Sequence, residues 1–512
     1  MLLALGLLWR GVRYALCFPY FNDEAFLLQN LLTRDYPGLM GELEYEQFAP
    51  PAFLWAELAM ARAFGYDEWV LRIVPLLAGA AGLVLFARLA RRVLSGRAAL
   101  LATGAMAASF YVVRHGCEVK PYTVDLLLSV ALMLLTWRVL ERPGRAGRWA
   151  VLTTTAVVGV WLSFPCVFVA AGMGLVLLWD AARRRSRRAL LACAACAAAL
   201  TASFGVMAWL AILPKQAVAR EVSGWVMWDF TWPPISRPWR LPWWFLRIHT
   251  GRMMAFPVGD RSGGSSLTFL LVLVGAAGMW RGRRRLLGLL LAPAVPAFAA
   301  AALRAYPYGG SARTMLYMAP AICLLSGHGV LTIAVWLSRS RRWAVHIPQV
   351  TAYLLAAVCL AGTVRDIFRP YKVGSDVQCR GALRDVAAET DPRRDRWVVY
   401  NAVGEVAHAP NLIDDGGDGA RFRFYVNHHA PPDLQWAPKP AEVDPDDGRT
   451  WLLVHRRWRG DFDEGRLRAY VSELERRLGT PQKRRFRLDY PKRDPGFIYV
   501  YVFPSPDGGP DP

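Results

Sequence analysis

The first apolar segment of this 512-residue chain runs into the sequence Phe18-Pro19-Tyr20-Phe21-Asn22-Asp23-Glu24-Ala25. This stretch places two adjacent carboxylates at the point where a membrane helix would leave the bilayer. Carboxylates at such a boundary are costly unless they are hydrated, paired or used in function. Asp is also among the commonest helix-capping residues, so Asp23 has a structural alternative as the cap of a helix from Glu24 to Arg34. Whether the acidic pair is functional or structural therefore depends on what the rest of the chain contains.

The composition predicts a mainly α-helical, polytopic membrane protein. The chain is 54% hydrophobic and contains 21 Trp, and several windows of about 20 residues carry few or no charges, which is the length needed to cross a bilayer. Run length and arginine placement together predict about eleven transmembrane helices. They lie near residues 1–20, 69–91, 98–114, 121–140, 148–162, 164–182, 189–213, 264–281, 286–304, 313–338 and 343–364. The first segment lacks a small-residue cleavage site, which indicates a retained anchor and not a signal peptide.

The net charge of +21 comes mostly from arginines in the short breaks between apolar runs. The arginine-rich breaks lie at 88–97, 138–148, 183–188, 281–285 and 339–342. Short loops rich in Arg mark the cytoplasmic side of a membrane protein. The spans alternate without conflict if all five breaks are cytoplasmic, which places the N-terminus inside and everything after about 366 outside. Topology thus accounts for the basic charge, and no nucleic-acid partner is expected.

The same pattern predicts the domain organisation. Residues 1–365 form a transmembrane domain whose long first outer loop, 22–68, carries interfacial helices at 24–34 and 51–64. Residues 366–504 are polar and are expected to form a small extracytoplasmic α/β domain with a helix over 463–478. Its predicted strands are Trp397–Ala402, Arg421–Asn427, Trp451–Val454, Arg485–Leu488 and Phe497–Phe503. Residues 505–512 form a Pro/Gly/Asp tail that is expected to be disordered.

No metal site is predicted from the cysteines and histidines. Cys193 and Cys196 have CxxC spacing, but they lie in an Ala-rich apolar run without the βαβ pattern of a redox motif. The histidines of the C-terminal domain are too far apart in sequence for a ligand motif and are expected to face solvent. They are His408, His428, His429 and His455.

A second group of ionisable residues follows the third predicted span in the sequence Glu118-Val119-Lys120-Pro121-Tyr122. Pro121 suits the first position of a helix, where its missing N–H costs nothing. Helical spacing would then put Glu118, Tyr122 and Asp125 on one face, with Lys120 pointing toward the mouth. The alternative is an ordinary interfacial ion pair of Glu118 with Lys120 or Arg114, which would contribute little.

Arg313, followed by Tyr317, lies on the predicted outer side, against the arginine bias of the chain. A structural role for Arg313 would be to bind lipid headgroups. A functional role would be to bind a phosphate through two parallel hydrogen bonds. All three groups face the same side under the predicted topology. Carboxylates beside cations suit group transfer from a phosphate-linked donor, because a carboxylate can take a proton from the acceptor and cations stabilise the departing phosphate.

The order of these motifs resembles the C-type membrane glycosyltransferases, near the protein O-mannosyltransferase and lipid A aminoarabinose transferase group. The resemblance covers about residues 1–365 and rests on short motifs in a fixed order. They are Asn22-Asp23-Glu24, Tyr45-Glu46-Gln47-Phe48-Ala49-Pro50-Pro51, Trp69-Val70-Leu71-Arg72-Ile73-Val74-Pro75, Glu118-Val119-Lys120-Pro121-Tyr122, and Arg313 with Tyr317 and Pro320. Where the aminoarabinose enzymes have a Lys before the Pro pair, this chain has Ala49. The C-terminal domain matches no named family and is a candidate for acceptor selection.

The resemblance implies a fold, a location and a reaction. The enzyme would lie in the bacterial inner (plasma) membrane, surrounded by membrane lipids, and transfer a monosaccharide from a polyprenyl-phosphate donor with inversion, without metal or cofactor. The acceptor would be a hydroxyl of a lipid, protein or polysaccharide on the extracytoplasmic face. The implied catalytic residues are Asp23 as base with Glu24 and Glu118 in support, and the implied donor-phosphate ligands are Lys120, Arg313, Tyr122 and Tyr317.

The main alternative is a polytopic transporter or a flippase for a lipid-linked sugar. Transporters of this kind are built from internal repeats with broken spans and polar groups at the bilayer midplane. No such repeat is evident in the sequence, and the ionisable groups gather at one predicted face. This distribution favours the enzyme.

Overall fold

The computed structural model describes residues 1–216, 224, 226–259, 263–400, 418–431, 433–436, 438–443, 448–456, 464–489 and 495–505. Four sequence predictions lie outside these residues: the end of the strand at 397–402, the start of the helix at 463, the environment of His408, and the tail from 506 onward. The chain folds into two compact units. Unit 1 consists of residues 1–17, 35–42 and 48–368, and unit 2 of residues 18–34, 43–47 and 369–512.

The described residues are mainly helical, with one small sheet near the C-terminus, which confirms the predicted fold class. The α-helices are α1 Leu2–Ala15, α2 Asn22–Thr33, α3 Pro51–Phe64, α4 Glu68–Leu71, α5 Ile73–Val93, α6 Gly96–Ala107, α7 Phe110–His115, α8 Tyr122–Glu141, α9 Ala146–Leu162, α10 Cys166–Arg183, α11 Arg187–Met207, α12 Leu241–His249, α13 Gly264–Trp280, α14 Arg284–Leu291, α15 Ala294–Ala302, α16 Ala319–Ser338, α17 Ile347–Phe368, α18 Gly374–Glu389, α19 Asp418–His429 and α20 Glu464–Leu478. The strands are β1 Arg396–Tyr400, β2 Gln435–Trp436, β3 Thr450–Arg456, β4 Gln482–Leu488 and β5 Gly496–Phe503.

Short helices complete the described secondary structure. The 3₁₀ turns are Gly38–Met40, Glu44–Glu46, Leu213–Lys215, Val226–Thr231, Pro238–Arg240, Arg252–Met254, Leu316–Met318, Arg342–His346 and Pro440–Glu442, and Ala208–Ile212 is a π-helical turn.

A helix lies at each predicted transmembrane position. Seven described helical segments are long and apolar enough to cross a membrane, and α9 and α13 are shorter apolar helices. The seven are Glu68–Val93, Tyr122–Glu141, Cys166–Arg183, Arg187–Lys215, Arg284–Ala302, Leu316–Ser338 and Arg342–Phe368. The chain is a membrane protein, and the number of its spans stays a prediction because α1 and α6 have only 14 and 12 residues.

Helices α13 and α16 approach each other closely through glycine. A Cβ atom added at Gly275 would lie 2.0 Å from the carbonyl oxygen of Leu325, and one at Gly329 would lie 2.1 Å from that of Leu271. Small residues at helix interfaces are typical of membrane proteins, where van der Waals packing drives association. Neither glycine can therefore be replaced without moving the helices apart.

The arginine-rich breaks meet at one end of unit 1 through side-chain contacts that we call the arginine ring. Each contact joins residues in or next to two different breaks, and four of the five breaks take part. The contacts are Arg92 Nη2 with Glu141 Oε2 at 2.5 Å, Arg184 Nη2 with the carbonyl oxygen of Leu140 at 3.3 Å, Arg285 Nε with Asp180 Oδ1 at 3.1 Å, and Arg283 Nη1 with the carbonyl oxygen of Val93 at 2.9 Å. The helices of unit 1 thus end in a common basic surface, as the alternating topology predicts.

Unit 2 is built around a five-stranded mixed sheet with the order β2-β1-β3-β5-β4. Strands β2, β1 and β3 run parallel to each other, whereas β5 is antiparallel to β3 and β4. Leu467 and Leu474 of α20 pack on Leu452 and Val454 of β3 in the core. The amphipathic helix therefore covers one face of the sheet.

The acidic stretch near residue 20 is part of unit 2. Tyr20 donates its backbone N–H to the hydroxyl of Tyr425 at 3.1 Å, and Asn427 donates to the side-chain oxygen of Gln29 at 3.1 Å. Helix α2 consequently packs against α19 of the C-terminal region.

The predicted strand over Arg421–Asn427 is wrong, because these residues lie within helix α19. The alternation of Arg and Phe mimics a strand, but Phe422 and Val426 are buried at helical spacing. Arg421 is also buried and forms an ion pair with Asp376 of α18, a helix that the sequence pattern did not indicate. A buried arginine needs a carboxylate partner, and Asp376 is that partner here.

The described histidines of unit 2 do not face solvent as predicted. His428 and His429 are half-buried and stack on Phe424 and Tyr425, with ring centroids 5.8 and 6.3 Å apart. His455 stacks on a further aromatic ring at 4.9 Å. These histidines contribute to packing.

Candidate active site

The segment from α7 to α8 carries several of the candidate residues that lie in unit 1. Helix α7 ends at His115 and Gly116 follows it, and α8 begins at Tyr122 after Pro121, whose missing N–H suits that position. Six non-helical residues, 116–121, therefore join the two helices. Their side chains can turn back onto α7 or forward onto α8.

Glu118 turns back onto α7. Arg114 Nε donates to Glu118 Oε1 at 2.7 Å, and His115 Nδ1 lies 2.7 Å from Glu118 Oε2. The ion pair with Arg114, which the sequence left as an alternative, is thus present. The prediction that Glu118 shares a helical face with Tyr122 is wrong, because the helix starts only after Pro121.

His115 is neutral near pH 7 in this arrangement. Burial lowers its pKa, and the charges of Arg114 and Arg313 lower it further, whereas Glu118 opposes the shift. A neutral imidazole beside a carboxylate donates its proton there, so Nδ1–H donates to Glu118 and Nε2 is left as an acceptor. Sequence reasoning did not select His115, although its position three residues before Glu118 could have indicated the contact.

Arg313 belongs to the same neighbourhood. Burial raises the pKa of Tyr306 well above its usual value, and the charge of Arg313 opposes this shift. The same charge contributes to the lowered pKa of His115. Tyr306 donates its hydroxyl to the carbonyl oxygen of Thr314 at 3.0 Å. The structure therefore brings Arg313 and the Glu118 group together in unit 1.

A hydrogen bond fixes the segment that follows Arg313 to helix α8. Ser129 donates its hydroxyl to the carbonyl oxygen of Tyr317 at 2.6 Å. The Tyr317 ring is fully buried, and its hydroxyl donates to the sulfur of Met315 at 3.5 Å. Tyr317 thus supports the segment from inside.

Tyr122 and Lys120 lie beside the Glu118 group. The ring of Tyr122 packs edge-on against His115, with centroids 5.0 Å apart, and is half-buried. Lys120 is only 8% exposed, and its orientation toward the mouth of the cavity stays a prediction. Asp125 lies one turn further along α8, where it is buried and hydrogen-bonded to Ser163.

Asp23 and Glu24 lie in the first turn of α2 in unit 2. The backbone N–H of Phe21 donates to Glu24 Oε2 at 3.0 Å, so Glu24 caps the helix and is buried. The capping alternative for Asp23 is therefore wrong, and Asp23 remains half-buried at the helix start. The ammonium group of Lys372 lies 2.9 Å from the centroid of the Phe21 ring, a neighbour that the sequence did not indicate.

The site is made of carboxylates and organic cations. Within the described ranges, no group of three or more His, Cys, Asp or Glu residues could hold a metal ion. Around the start of α8, unit 1 has guanidinium groups, an imidazole, an ammonium group and the carboxylates of Glu118 and Asp125. Such a set can bind an anionic phosphate and stabilise charge that develops on it.

Comparison with known proteins places these residues in a recognised fold. The sequence model of the family described as dolichyl-phosphate-mannose-protein mannosyltransferase matches residues 49–209. No curated protein sequence matches the chain.

Solved structures give a wider match. ArnT from Cupriavidus metallidurans bound to undecaprenyl phosphate is similar over 100% of this chain and 98% of that chain, at 14% identity and a TM-score of 0.52. Its apo state gives 14% identity and a TM-score of 0.49, covering 98% and 97% of the two chains. The Archaeoglobus fulgidus oligosaccharyltransferase in complex with Zn and sulfate gives 13% identity and 0.47, covering 84% of this chain and 62% of that chain. The predicted resemblance to the C-type membrane glycosyltransferases is confirmed in the fold.

Proposed function

We propose that the protein is a membrane glycosyltransferase that moves a monosaccharide from a polyprenyl-phosphate donor to a hydroxyl group of an acceptor. The fold and the partial family match support a glycosyltransferase. We place the reaction at the end of α8 that carries Tyr122, away from the arginine ring at Glu141. That end is extracytoplasmic if the arginine ring is cytoplasmic, as the charge rule requires.

The observation that carries the proposal is the arrangement of Arg114, His115 and Glu118 with the charge of Arg313 nearby. The phosphodiester of the donor carries one negative charge, and the departing polyprenyl phosphate gains another. Guanidinium groups fixed at this position stabilise the developing charge. The ArnT structure is described as bound to undecaprenyl phosphate, a ligand of the same chemical class.

We assign the reaction as a single displacement at the anomeric carbon. The acceptor oxygen forms a bond to that carbon while the bond from the carbon to the phosphate oxygen breaks, and the polyprenyl phosphate leaves. The proton of the acceptor hydroxyl passes to the carboxylate of Asp23, which acts as general base. Attack opposite the leaving phosphate inverts the anomeric configuration.

The other predicted residues receive roles that follow their contacts. Arg313, Lys120 and Tyr122 bind the donor phosphate, and organic cations take the place that a metal ion would fill. Glu118 orients Arg114 and His115, Glu24 holds the start of α2, and Tyr317 supports the segment of Arg313. Each of these three supporting roles follows from hydrogen bonds that the residue makes.

The test of the proposal is transfer of a labelled sugar from a polyprenyl-phosphate donor by the purified protein, in the presence of a chelator and acceptor-containing membranes. Asp23→Asn should lower the transfer rate at least about 100-fold, the lower end of the range for loss of a general base. Asp35→Asn is the matched control, because Asp35 is exposed and accepts a hydrogen bond from Gly38 N–H that Asn can also accept. Both variants should unfold at the wild-type temperature.

Near-normal transfer by Asp23→Asn would remove the general-base assignment. Movement of the labelled donor across vesicle membranes without transfer to any acceptor would instead support the transporter or flippase.

A further inference from the structure

A groove of about 710 Å³ opens at the arginine-rich end of unit 1, between the ends of α5, α8 and α10 and the start of α14. It lies within unit 1, and none of its lining residues belongs to the candidate active site. One side of the groove is basic and the other is apolar. The basic residues are Arg183, Arg281, Arg283, Arg284 and Arg285, and the apolar residues are Val93, Trp137, Trp179 and Leu286.

Several of the guanidinium groups are held in place by neighbouring groups. Arg283 donates to the carbonyl oxygen of Val93 at 2.9 Å, and Arg284 donates to that of Trp280 at 3.0 Å. Arg183 lies over the ring of Trp179, 5.5 Å from its centroid. Fixed guanidinium groups lose less side-chain entropy when they bind an anion, so the groove is organised in advance.

The groove has more cations than carboxylates. Asp180 is buried and pairs with both Arg184, at 2.6 Å, and Arg285, at 3.1 Å. Among the described residues, no other carboxylate lies within ion-pair distance of the five lining arginines. The first N–H groups of α14 have no side-chain cap and add partial positive charge at the same place.

The position of the groove selects the kind of anion. Its walls are the ends of helices long and apolar enough to span a membrane, which places it at the depth of lipid headgroups. Trp179 and Trp280 are 45% and 61% exposed, as expected for aromatic residues at a membrane interface. A soluble anion would use the arginines alone, whereas a phospholipid would also cover the exposed apolar wall.

We propose that this groove binds an anionic phospholipid of the leaflet at the arginine-rich end. The phosphodiester headgroup contacts Arg281 and Arg284, and the first carbons of an acyl chain lie along Trp179 and Leu286. Basic pockets between membrane helices on the cytoplasmic side are suited to anionic headgroups, and guanidinium groups match the geometry of phosphate oxygens.

The experiment measures lipid retained by the purified full-length protein in native mass spectrometry. The protein is offered phosphatidylglycerol and phosphatidylcholine with matched acyl chains. The wild type should retain phosphatidylglycerol in preference to phosphatidylcholine. Arg281→Gln combined with Arg284→Gln should weaken retention of phosphatidylglycerol about 30-fold, from about 1 kcal/mol for each arginine near an anionic headgroup.

The matched control is Arg339→Gln combined with Arg341→Gln. These two arginines are exposed and do not line the groove, and their substitution removes the same charge from the same end of the unit. The control variant should retain phosphatidylglycerol within about twofold of the wild type, since its change lies outside the site. Equal losses in the two double variants would overturn the proposal in favour of diffuse electrostatic attraction.

Two measurements on the wild type keep the proposal testable even if a variant fails to fold. Equal retention of the two lipids would overturn it. Inorganic phosphate in large excess should leave bound phosphatidylglycerol in place, and displacement by phosphate alone would show a site for a soluble anion instead of a lipid.

Discussion

The carboxylate of Glu118 is shared by Arg114 and His115, and this sharing determines where the proton of His115 lies. Burial lowers the pKa of His115, which keeps the imidazole neutral near pH 7. The proton on Nδ1 then faces Glu118. The cationic character of the site near pH 7 consequently comes from its arginine and lysine side chains and not from His115.

His115 should make stability depend on pH. The unfolded chain binds a proton at a pKa of about 6.5, whereas folded His115 binds it only at lower pH, so stability is complete above about 6.5 and falls as the pH drops through that window. The slope reaches at most about 1.4 kcal/mol per pH unit for one group. Thermal unfolding in detergent between pH 5 and 8 measures this pH dependence, because the range extends about one unit or more on either side of that pKa.

His115→Gln should reduce this slope, and His346→Gln, at an exposed position, should leave it unchanged. Identical slopes for wild type and His115→Gln would show that His115 does not titrate in this window.

Arg313 should act on the donor phosphate. Arg313→Gln should lower kcat/KM for the polyprenyl-phosphate donor about 100-fold, as expected for the loss of one charge that stabilises a leaving anion. Steady-state kinetics with varied donor measures the loss. Arg304→Gln is the control, because Arg304 is exposed in the same connecting segment and its charge is equal. A similar loss in both variants would indicate general attraction of the donor.

Helix α3 shows how far local sequence signals determine an element. Its predicted bounds, 51–64, agree with the structure. Pro51 at the first helical turn and Gly65 after the last, with a φ of +94° that favours glycine, mark both ends. The signals at these two positions are local, so the sequence alone was sufficient.

Glu57 of the same helix should destabilise the protein at neutral pH. It is buried, neither carboxylate oxygen has a hydrogen-bond partner among the described residues, and burial raises its pKa well above the usual value. The unfolded chain ionises near pH 4.5 while folded Glu57 keeps its proton, so stability falls as the pH rises above that value.

Glu57→Gln cannot ionise and should unfold at a higher temperature than the wild type at pH 7, with the difference vanishing near pH 4.5, the usual pKa of Glu. Differential scanning fluorimetry at both pH values measures this effect. Glu42→Gln, at an exposed position in the loop before α3, is the control and should match the wild type. A lower unfolding temperature for Glu57→Gln at pH 7 would contradict the assignment.

Helix α19 shows where local signals fail. The alternating arginine and aromatic residues at 421–425 fit a strand, but the arginine at the start pairs with Asp376 and the aromatic residues pack on the start of the chain. Tyr20 and Tyr425 are 405 residues apart. A pattern confined to a short window carries no information about a partner that distant, so the helix and its role could not be predicted.

At the scale of the whole molecule, hydropathy and arginine placement predicted the helices of unit 1, because membrane insertion depends on these two properties. The positions of Arg313 and Glu118 in unit 1 followed from the same topology. The assignment of residues 18–34 to unit 2 did not, since it depends on the long-range contacts of α2 with α19.

Removal of the chain after residue 370 should abolish both donor hydrolysis and sugar transfer. The truncation removes Phe424 and Tyr425, against which Tyr20 packs, with ring centroids 5.1 and 6.0 Å away. The segment that carries Asp23 then loses its support. Assays of hydrolysis and transfer, with limited proteolysis of residues 18–34, measure the outcome. Wild-type hydrolysis by the truncated protein would show that α2 folds without the C-terminal part of unit 2.

The arginine ring has a consequence for how the protein is made. Arg283 and Val93 are 190 residues apart, and Asp180 can pair with Arg285 only after α14 has been synthesised. The ribosome therefore delivers most of unit 1 to the translocon before the ring can close. The helices inserted earlier lack these contacts until α14 has been inserted. A chain whose synthesis stops before residue 281 therefore lacks the contacts of Arg283 and Arg285, and we expect it to be more susceptible to proteolysis.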